Sequence, residues 1–392
     1  MQENHSRENY DAVIYLMACA LNGVVPSVQY FEGKNISEIF GLAVRHSVGA
    51  LVAHALEKAG MAPQSAIERK NASIRKTLLF DFERAEILKI LESEKIKYMP
   101  LKGVFTKDLY PSIGLREMGD NDILFDSAYR ARVMDIMLER GYEVEQYDRF
   151  NHDVYIKQPV FNFEMHVDLF ARHEERSFYE YFKNALDRAV VIDGTEYGRQ
   201  FSDEDNYIYI KLHEYKHYKH GGMGLRILAD TYVFLRAKEQ TLNFDYINRE
   251  LKNLGADEYE ALTRRLAFTV LSKESAENPP KSLAEVLDRE LFNTYEYMCF
   301  SGTYGTAQNN MNNAIKEYEK TLGDAKKAKF SYLWRRIFPP MRVYEIYYPF
   351  YYKHKILIPF LFVKRVCRAL FKNRKREWAS FKHIMKYDKN RK

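Results

Sequence analysis

Cysteine is scarce in this 392-residue chain, which has Cys19, Cys299 and Cys367, far apart. They make no CxxC pair and no disulfide framework, so a reducing, cytoplasmic setting is expected. The opening residues, Met-Gln-Glu-Asn-His-Ser-Arg-Glu, are polar and carry acids, and no signal peptide is expected there. No uninterrupted apolar run approaches the roughly 20 residues that a bilayer-spanning helix needs. No internal repeat is evident.

What is present is the composition of a soluble globular protein, 46% hydrophobic and 29% charged. Thirty Tyr and 25 Phe predict well-filled cores and leave aromatics for surfaces. The net charge of +6 permits an anionic partner without requiring one.

Residues from about 8 to 95 read as helical. Ala12 to Leu21 suits a buried helix, and Ser37 is a candidate N-cap for the next. Ile74, Leu78, Phe82, Ala85 and Leu88 recur at helical spacing. Ile96 to Pro100 reads as a short strand, Lys102-Gly103 as its exit, and a helix follows through Asp108. A strand ending near Phe125 comes next, then a helix closed by Gly141 and a strand around Val154 and Ile156. From Val160 to Phe170 the alternation has period two. Phe161, Phe163, Met165, Val167 and Leu169 point one way, and Asn162, Glu164, His166 and Asp168 the other. Helices resume from Asp203 to about Leu322. The expectation is an α+β chain in four parts: a helical region at 1–95, a small mixed-sheet core at 96–200, a second helical region at 201–325 and a basic, aromatic tail at 326–392.

The chemistry concentrates between Leu101 and Asp168. Asp120 and Asp122 are one residue apart at the start of an apolar strand, so they share a face. Two carboxylates that close repel each other unless a cation lies between them, and hard oxygen ligands suit magnesium. A third acid on a neighbouring strand would complete such a site. Glu164 and Asp168 both face the right way, but four residues of strand span roughly 13 Å, so only one can serve. His166 either contacts a phosphate or the acceptor, or bonds to a neighbouring acid.

Leu101-Lys102-Gly103, Tyr110-Pro111, Gly114-Leu115-Arg116 and Asp120-Asn121-Asp122-Ile123-Leu124 resemble the nucleotidyltransferase superfamily, and within it an uncharacterised bacterial nucleotidyltransferase-like family. Glu164-Met165-His166 is similar to that family's later Glu-x-His strand, and His213, Lys216-His217 and Leu225-Arg226 through Asp230 to its helical part. The resemblance implies the nucleotidyltransferase fold and magnesium- or manganese-dependent transfer of a nucleoside monophosphate from a nucleoside triphosphate to an unidentified acceptor. It favours Glu164 as the third acid, with Asp120 and Asp122, and keeps Asp168 in reserve. Lys102, Gly103, Arg116 and His166 would face the nucleotide: Gly103 lets the backbone come close, the next helix N-terminus offers N–H groups, and Lys102 and Arg116 supply charge. Two departures from the wider superfamily, Val104 in place of a second small residue and Asn121 between the acids, bear on catalysis rather than fold. A catalytically weak nucleotide-binding module of the same fold is the alternative.

Two other features stand apart. His213-Glu214-Tyr215-Lys216-His217 spells a zincin pattern, with two His one helical turn apart, and makes zinc hydrolysis a further alternative, but Lys211, Lys216 and Lys219 crowd it with positive charge. Arg226 and Asp230 are spaced to pair on a helix. The tail places Ile356 to Val363, interrupted by Pro359, among clusters of Lys and Arg. It reads either as a buried helix with a solvated basic edge or as a segment for an anionic membrane or nucleic acid.

Overall fold

Helix α1 (Gln2–Asn22) buries every residue from Asp11 to Leu21. In this computed structural model, which describes residues 2–172, 175–222, 224–302, 305–368, 371 and 374–387, three further helices follow. They are α2 (Ile36–Arg45), α3 (Gly49–Lys58) and the 30-residue α4 (Gln64–Ser93). The cap of α2 is Asn35, not Ser37: the Asn35 carboxamide oxygen accepts from the Ser37 and Glu38 N–H groups at 3.0 and 3.3 Å. Ile87 and Leu91 of α4 pack into the core beneath the sheet.

The sheet has five strands in the order β1-β2-β5-β4-β3. They are β1 (Tyr98–Pro100), β2 (Asn121–Phe125), β3 (Glu143–Gln146), β4 (His152–Lys157) and β5 (Phe161–His166). β2 and β5 are parallel, and the other neighbours are antiparallel. A single turn, α5 (Gly103–Thr106), leaves β1, and α6 (Arg130–Glu139) covers the crossover from β2. Gly141, at φ +79°, ends α6 where a left-handed residue is wanted.

Alternation along β2 and β5 feeds two cores, one on each side. Ile123, Phe125, Phe163 and Met165 join Tyr155 and α6 in one. Leu124, from the opposite face, joins Tyr207, Tyr209 and Leu212 of α9 (Asp203–Lys219) in the other. Short elements α7 (Arg176–Phe182), α8 (Ala185–Arg188) and the β6–β7 ladder (Val190–Val191, Arg199–Gln200) precede α9. Then come α10 (Arg226–Lys238), α11 (Phe244–Asn253), α12 (Asp257–Leu271), α13 (Lys273–Glu277) and α14 (Arg289–Ser301).

The chain gathers into two compact units: Met1–Lys216 with Met223–Thr303, and His217–Gly222 with Tyr304–Lys392. The second holds α15 (Ala307–Leu322), α16 (Ala325–Ile337), α17 (Met341–Tyr347), α18 (Pro349–Lys353), α19 (Ile358–Cys367) and α20 (Arg374–Lys386). Met311, Ile315, Ala328, Ile384 and Tyr387 form its small core. Among the described residues no helix is long and apolar enough to cross a membrane.

Candidate active site

Strand register builds the site. Asp122 lies opposite Glu164 and Leu124 opposite His166 across the parallel β2–β5 pair. On the other flank of β5, His152 of β4 lies opposite His166. Residues opposite each other share a face, with strands about 4.8 Å apart. Asp122, Glu164, His166 and His152 therefore stand together, while Ile123, Tyr155, Phe163 and Met165 fill the apolar side.

Asp122 is the hub. Its Oδ1 accepts a hydrogen bond from Lys102 Nζ at 2.9 Å and lies 2.8 Å from His166 Nε2. Nδ1 of His166 is buried without a partner among the described residues. The tautomer with its proton on Nε2, donating to Asp122, leaves no N–H unpaired there. Burial alone would raise the Asp122 carboxyl, but the Lys102 charge and the His166 hydrogen bond outweigh it and hold the acid well below the usual range. Burial likewise opposes the Lys102 ammonium, and Asp122 carries it the other way, above its ordinary value. The Tyr209 ring, 6.0 Å from Lys102 Nζ, covers that side.

Glu164 is in the opposite condition. Its Oε2 stands 3.7 Å from His166 Nε2 and 3.8 Å from His152 Nε2, and it accepts no hydrogen bond among the described residues. Burial, then repulsion by Asp122 and Asp120, pushes it up to about 7. Asp120 is half-buried, has no hydrogen-bond partner among the described residues, and is raised by burial and by Asp122. Burial, with His166 and the Lys102 charge nearby, pushes His152 down to about 4, so near neutral pH it keeps a free lone pair. Donor atoms of His152, Glu164 and His166 lie within 4.8 Å of one another, the grouping with metal-ligand spacing among the described residues.

The turn after β1 differs from its expected role. Lys102 has φ +48°, a conformation that strains a side-chain-bearing residue. The space a Cβ on Gly103 would occupy is filled from within, by the Arg116 guanidinium and by the Met118 methyl at 3.2 Å. Glycine here admits the Arg116 guanidinium. The helix behind it is one turn long, and the Val104, Phe105 and Thr106 N–H groups already donate to the Leu101 and Lys102 carbonyls. That turn offers no long-helix N-terminus to an anion. Arg116 is buried and grips Asp230 of α10 with two bonds, Nε–Oδ1 2.8 Å and Nη2–Oδ2 2.9 Å. Tyr110 donates to the same Oδ1 at 2.7 Å, and Arg226 stands 3.8 Å from Oδ2. Burial would raise Asp230, but Arg116 holds it below its usual range. Arg116 thus locks the turn onto α10.

Asp168 lies past the end of β5, where the Val167 and Asp168 N–H groups both turn to the Asn151 carbonyl. Burial raises it to about 6, and the charge that opposes this is Arg130, which sits on Asp153. The zincin-like helix is otherwise employed: buried Glu214 accepts from buried Lys211 at 2.8 Å, and the metal-spaced grouping includes neither His213 nor His217. His152 is the residue that sequence reading missed. Only the β4–β5 register brings it to His166, although a histidine at even spacing from Val154 and Ile156 hinted that it shares their face.

A family model described as uncharacterised nucleotidyltransferase matches residues 32–272. No curated protein and no solved structure matches the chain.

Proposed function

The chain belongs to the uncharacterised nucleotidyltransferase family, and from that premise we propose that its acidic sheet face transfers a nucleoside monophosphate from a nucleoside triphosphate to an acceptor hydroxyl or phosphate. One observation carries this reading. Asp122 and Glu164 stand opposite each other on parallel strands, with the unpartnered Asp120 beside them.

Burial first, and then the neighbouring carboxylates, raise Asp120 and Glu164. That suits a divalent cation, held by Asp120, Asp122 and Glu164, with His166 and His152 at its edge. The all-oxygen set fits magnesium, and the nearby imidazoles also admit manganese. Such a cation, when bound, neutralises phosphate oxygens as charge shifts to the leaving pyrophosphate. The remaining work falls to the chain. Asp122 stays ionised across the physiological range. Glu164, poised near 7, is suited to take the acceptor hydroxyl's proton on a carboxylate oxygen. Lys102, on a flexible stem, can turn from Asp122 to a phosphate oxygen. Arg116 and Asp230 hold the turn that presents Lys102.

A second reading has its own observation. Lys102 and His166 already satisfy Asp122, as a nucleotide-sensing module without turnover would tolerate. Pyrophosphate release separates the two. Release from a nucleoside triphosphate with magnesium, lost in Asp120→Asn, supports transfer; magnesium-dependent nucleotide binding with no release across a panel of acceptors supports the module.

A further inference from the structure

Charge is unevenly divided along the chain. Lys326 to Lys392 hold 20 Lys and Arg against three Asp and Glu, while the whole chain carries only +6, so everything before Lys326 is net acidic. Apolar exposure is uneven in the same direction. Of the 28 large apolar side chains exposed among the described residues, 14 lie beyond Leu322. Among the described residues the second unit has one core cluster of five buried residues, with Tyr344 and Leu361 also buried, and leaves nine aromatic side chains exposed. Contiguous apolar surface on this scale marks an interaction site.

The exposed residues are not scattered. Phe330, Trp334 and Ile337 lie four and three residues apart and form one stripe of α16. The rings continue as a ladder, Phe330 to Trp334 at 6.1 Å, Trp334 to Phe338 at 4.5 Å, and Phe338 to Phe362 of α19 at 5.1 Å. Arg365 donates to the Arg336 carbonyl at 3.2 Å and ties the same two helices together. At the α19 end stand Ile356, 85% exposed, Phe360, 71%, and Val363, 58%. Exposed Lys353 and Lys355 precede this apolar segment, and exposed Lys364 follows it.

We infer that the second unit docks on the surface of an anionic bilayer, with the α16–α19 aromatic crest in the headgroup–acyl boundary and the flanking lysines on acidic headgroups. The inference concerns a surface separate from the transferase reading and does not depend on it. Charge complementarity selects the partner. The unit needs a surface that is negative outside and apolar within, and anionic lipid supplies both. Trp and Tyr suit that boundary because one end is apolar and the other polar. A nucleic acid offers the negative charge, but gives aliphatic Ile356 and Val363 nothing apolar to enter. With ten residues, α19 lies in the surface rather than through it.

The chain reports on itself, because its two tryptophans, Trp334 and Trp378, are both in this unit. Full-length protein is mixed with vesicles of phosphatidylcholine alone, or with a third phosphatidylglycerol, and followed by emission and co-sedimentation. The expected result is a shift to shorter wavelength, protection from an aqueous quencher and co-sedimentation with the anionic vesicles, weakened by high salt. Phe360→Asp with Val363→Asp, both exposed and so harmless to folding, should abolish the shift. Lys353→Gln with Lys364→Gln should weaken partition roughly 30-fold, at about 1 kcal/mol per cation near the surface. Wild-type protein that ignores anionic vesicles overturns the inference, whatever the variants do. Equal binding to neutral vesicles overturns the anionic assignment. A salt-sensitive response to single-stranded RNA without a response to vesicles assigns the surface to nucleic acid and overturns it as well.

Discussion

Lys102 Nζ and Asp122 Oδ1 lie 2.9 Å apart, so an acid proposed to hold a metal ion already holds an ammonium. This pair sets the protein's resting state. A buried acid with a fixed partner costs little, whereas the same acid or base alone costs several kcal/mol.

The first prediction follows from that asymmetry. Asp122→Asn strands the Lys102 ammonium and lowers stability by about 3 kcal/mol. Lys102→Met in the same chain recovers most of the loss. Denaturant unfolding of the two single variants and the double variant gives the coupling. Independent, additive losses would mean that the pair contributes nothing.

The acids differ in a second test. Asp120→Asn removes a carboxylate with no partner among the described residues, one that burial and Asp122 disfavour, so it should hold or raise the melting temperature and abolish transfer. Glu164→Gln should cost activity at least about 100-fold, the scale of a lost general base. Asp168→Asn, past the end of the strand and beside Arg130, should stay within about threefold, as a group outside the reacting centre does. The reverse order for Glu164 and Asp168 would move the third acid.

Protonation of Glu164 supplies a third. Its carboxyl sits near 7 rather than at its ordinary value, so without metal the folded protein holds a proton there that the unfolded chain releases. Between about 4.3 and 7 the folded state binds more protons, and metal-free stability falls as pH rises through that window. A bound cation removes this penalty. The magnesium-induced rise in melting temperature should therefore be larger at pH 8 than at pH 6. Calorimetry at pH 6 should also register proton release on metal binding. No dependence on pH would place the metal away from Glu164.

The fourth concerns Arg116. Its two-pronged grip on Asp230 predicts that Arg116→Lys fails to replace it, because an ammonium cannot make both bonds in that geometry. Arg116→Lys and Asp230→Asn should each cost about 3 kcal/mol in thermal or denaturant unfolding. Gly103→Ala, which drives a methyl into the guanidinium, should cost about 1–3 kcal/mol by overpacking. Variants that fold normally but bind nucleotide weakly would return Arg116 to the phosphates.

The sequence made the local geometry legible. Alternation identified β5 and the shared face of Glu164 and His166, and the acid pair marked β2. Helical spacing located α1 and α4, but the apolar stripe it marked on α4 is the wrong face: Leu78, Phe82 and Ala85 are exposed, while Phe80, Ile87 and Leu91 are buried. Pairings across long separations were not legible. Arg116 and Asp230 are 114 residues apart, and nothing near Arg116 distinguishes a phosphate ligand from half of a buried ion pair. His152 joins the site through register alone. Asp168 seemed to continue β5, but the strand stops at His166 because the Asn151 carbonyl takes the next two N–H groups. β3, with Glu143, Glu145 and Gln146 on a sheet edge, lacks the apolar alternation that flags a strand.

Pyrophosphate release from nucleoside triphosphates with magnesium, wild type beside Asp120→Asn, tests the central claim most directly. The account predicts acceptor-dependent release by the wild type and none by a variant that folds and melts no lower than the wild type does. Equal release by both, or none by the wild type with any nucleotide and acceptor while it still binds nucleotide with magnesium, would contradict it.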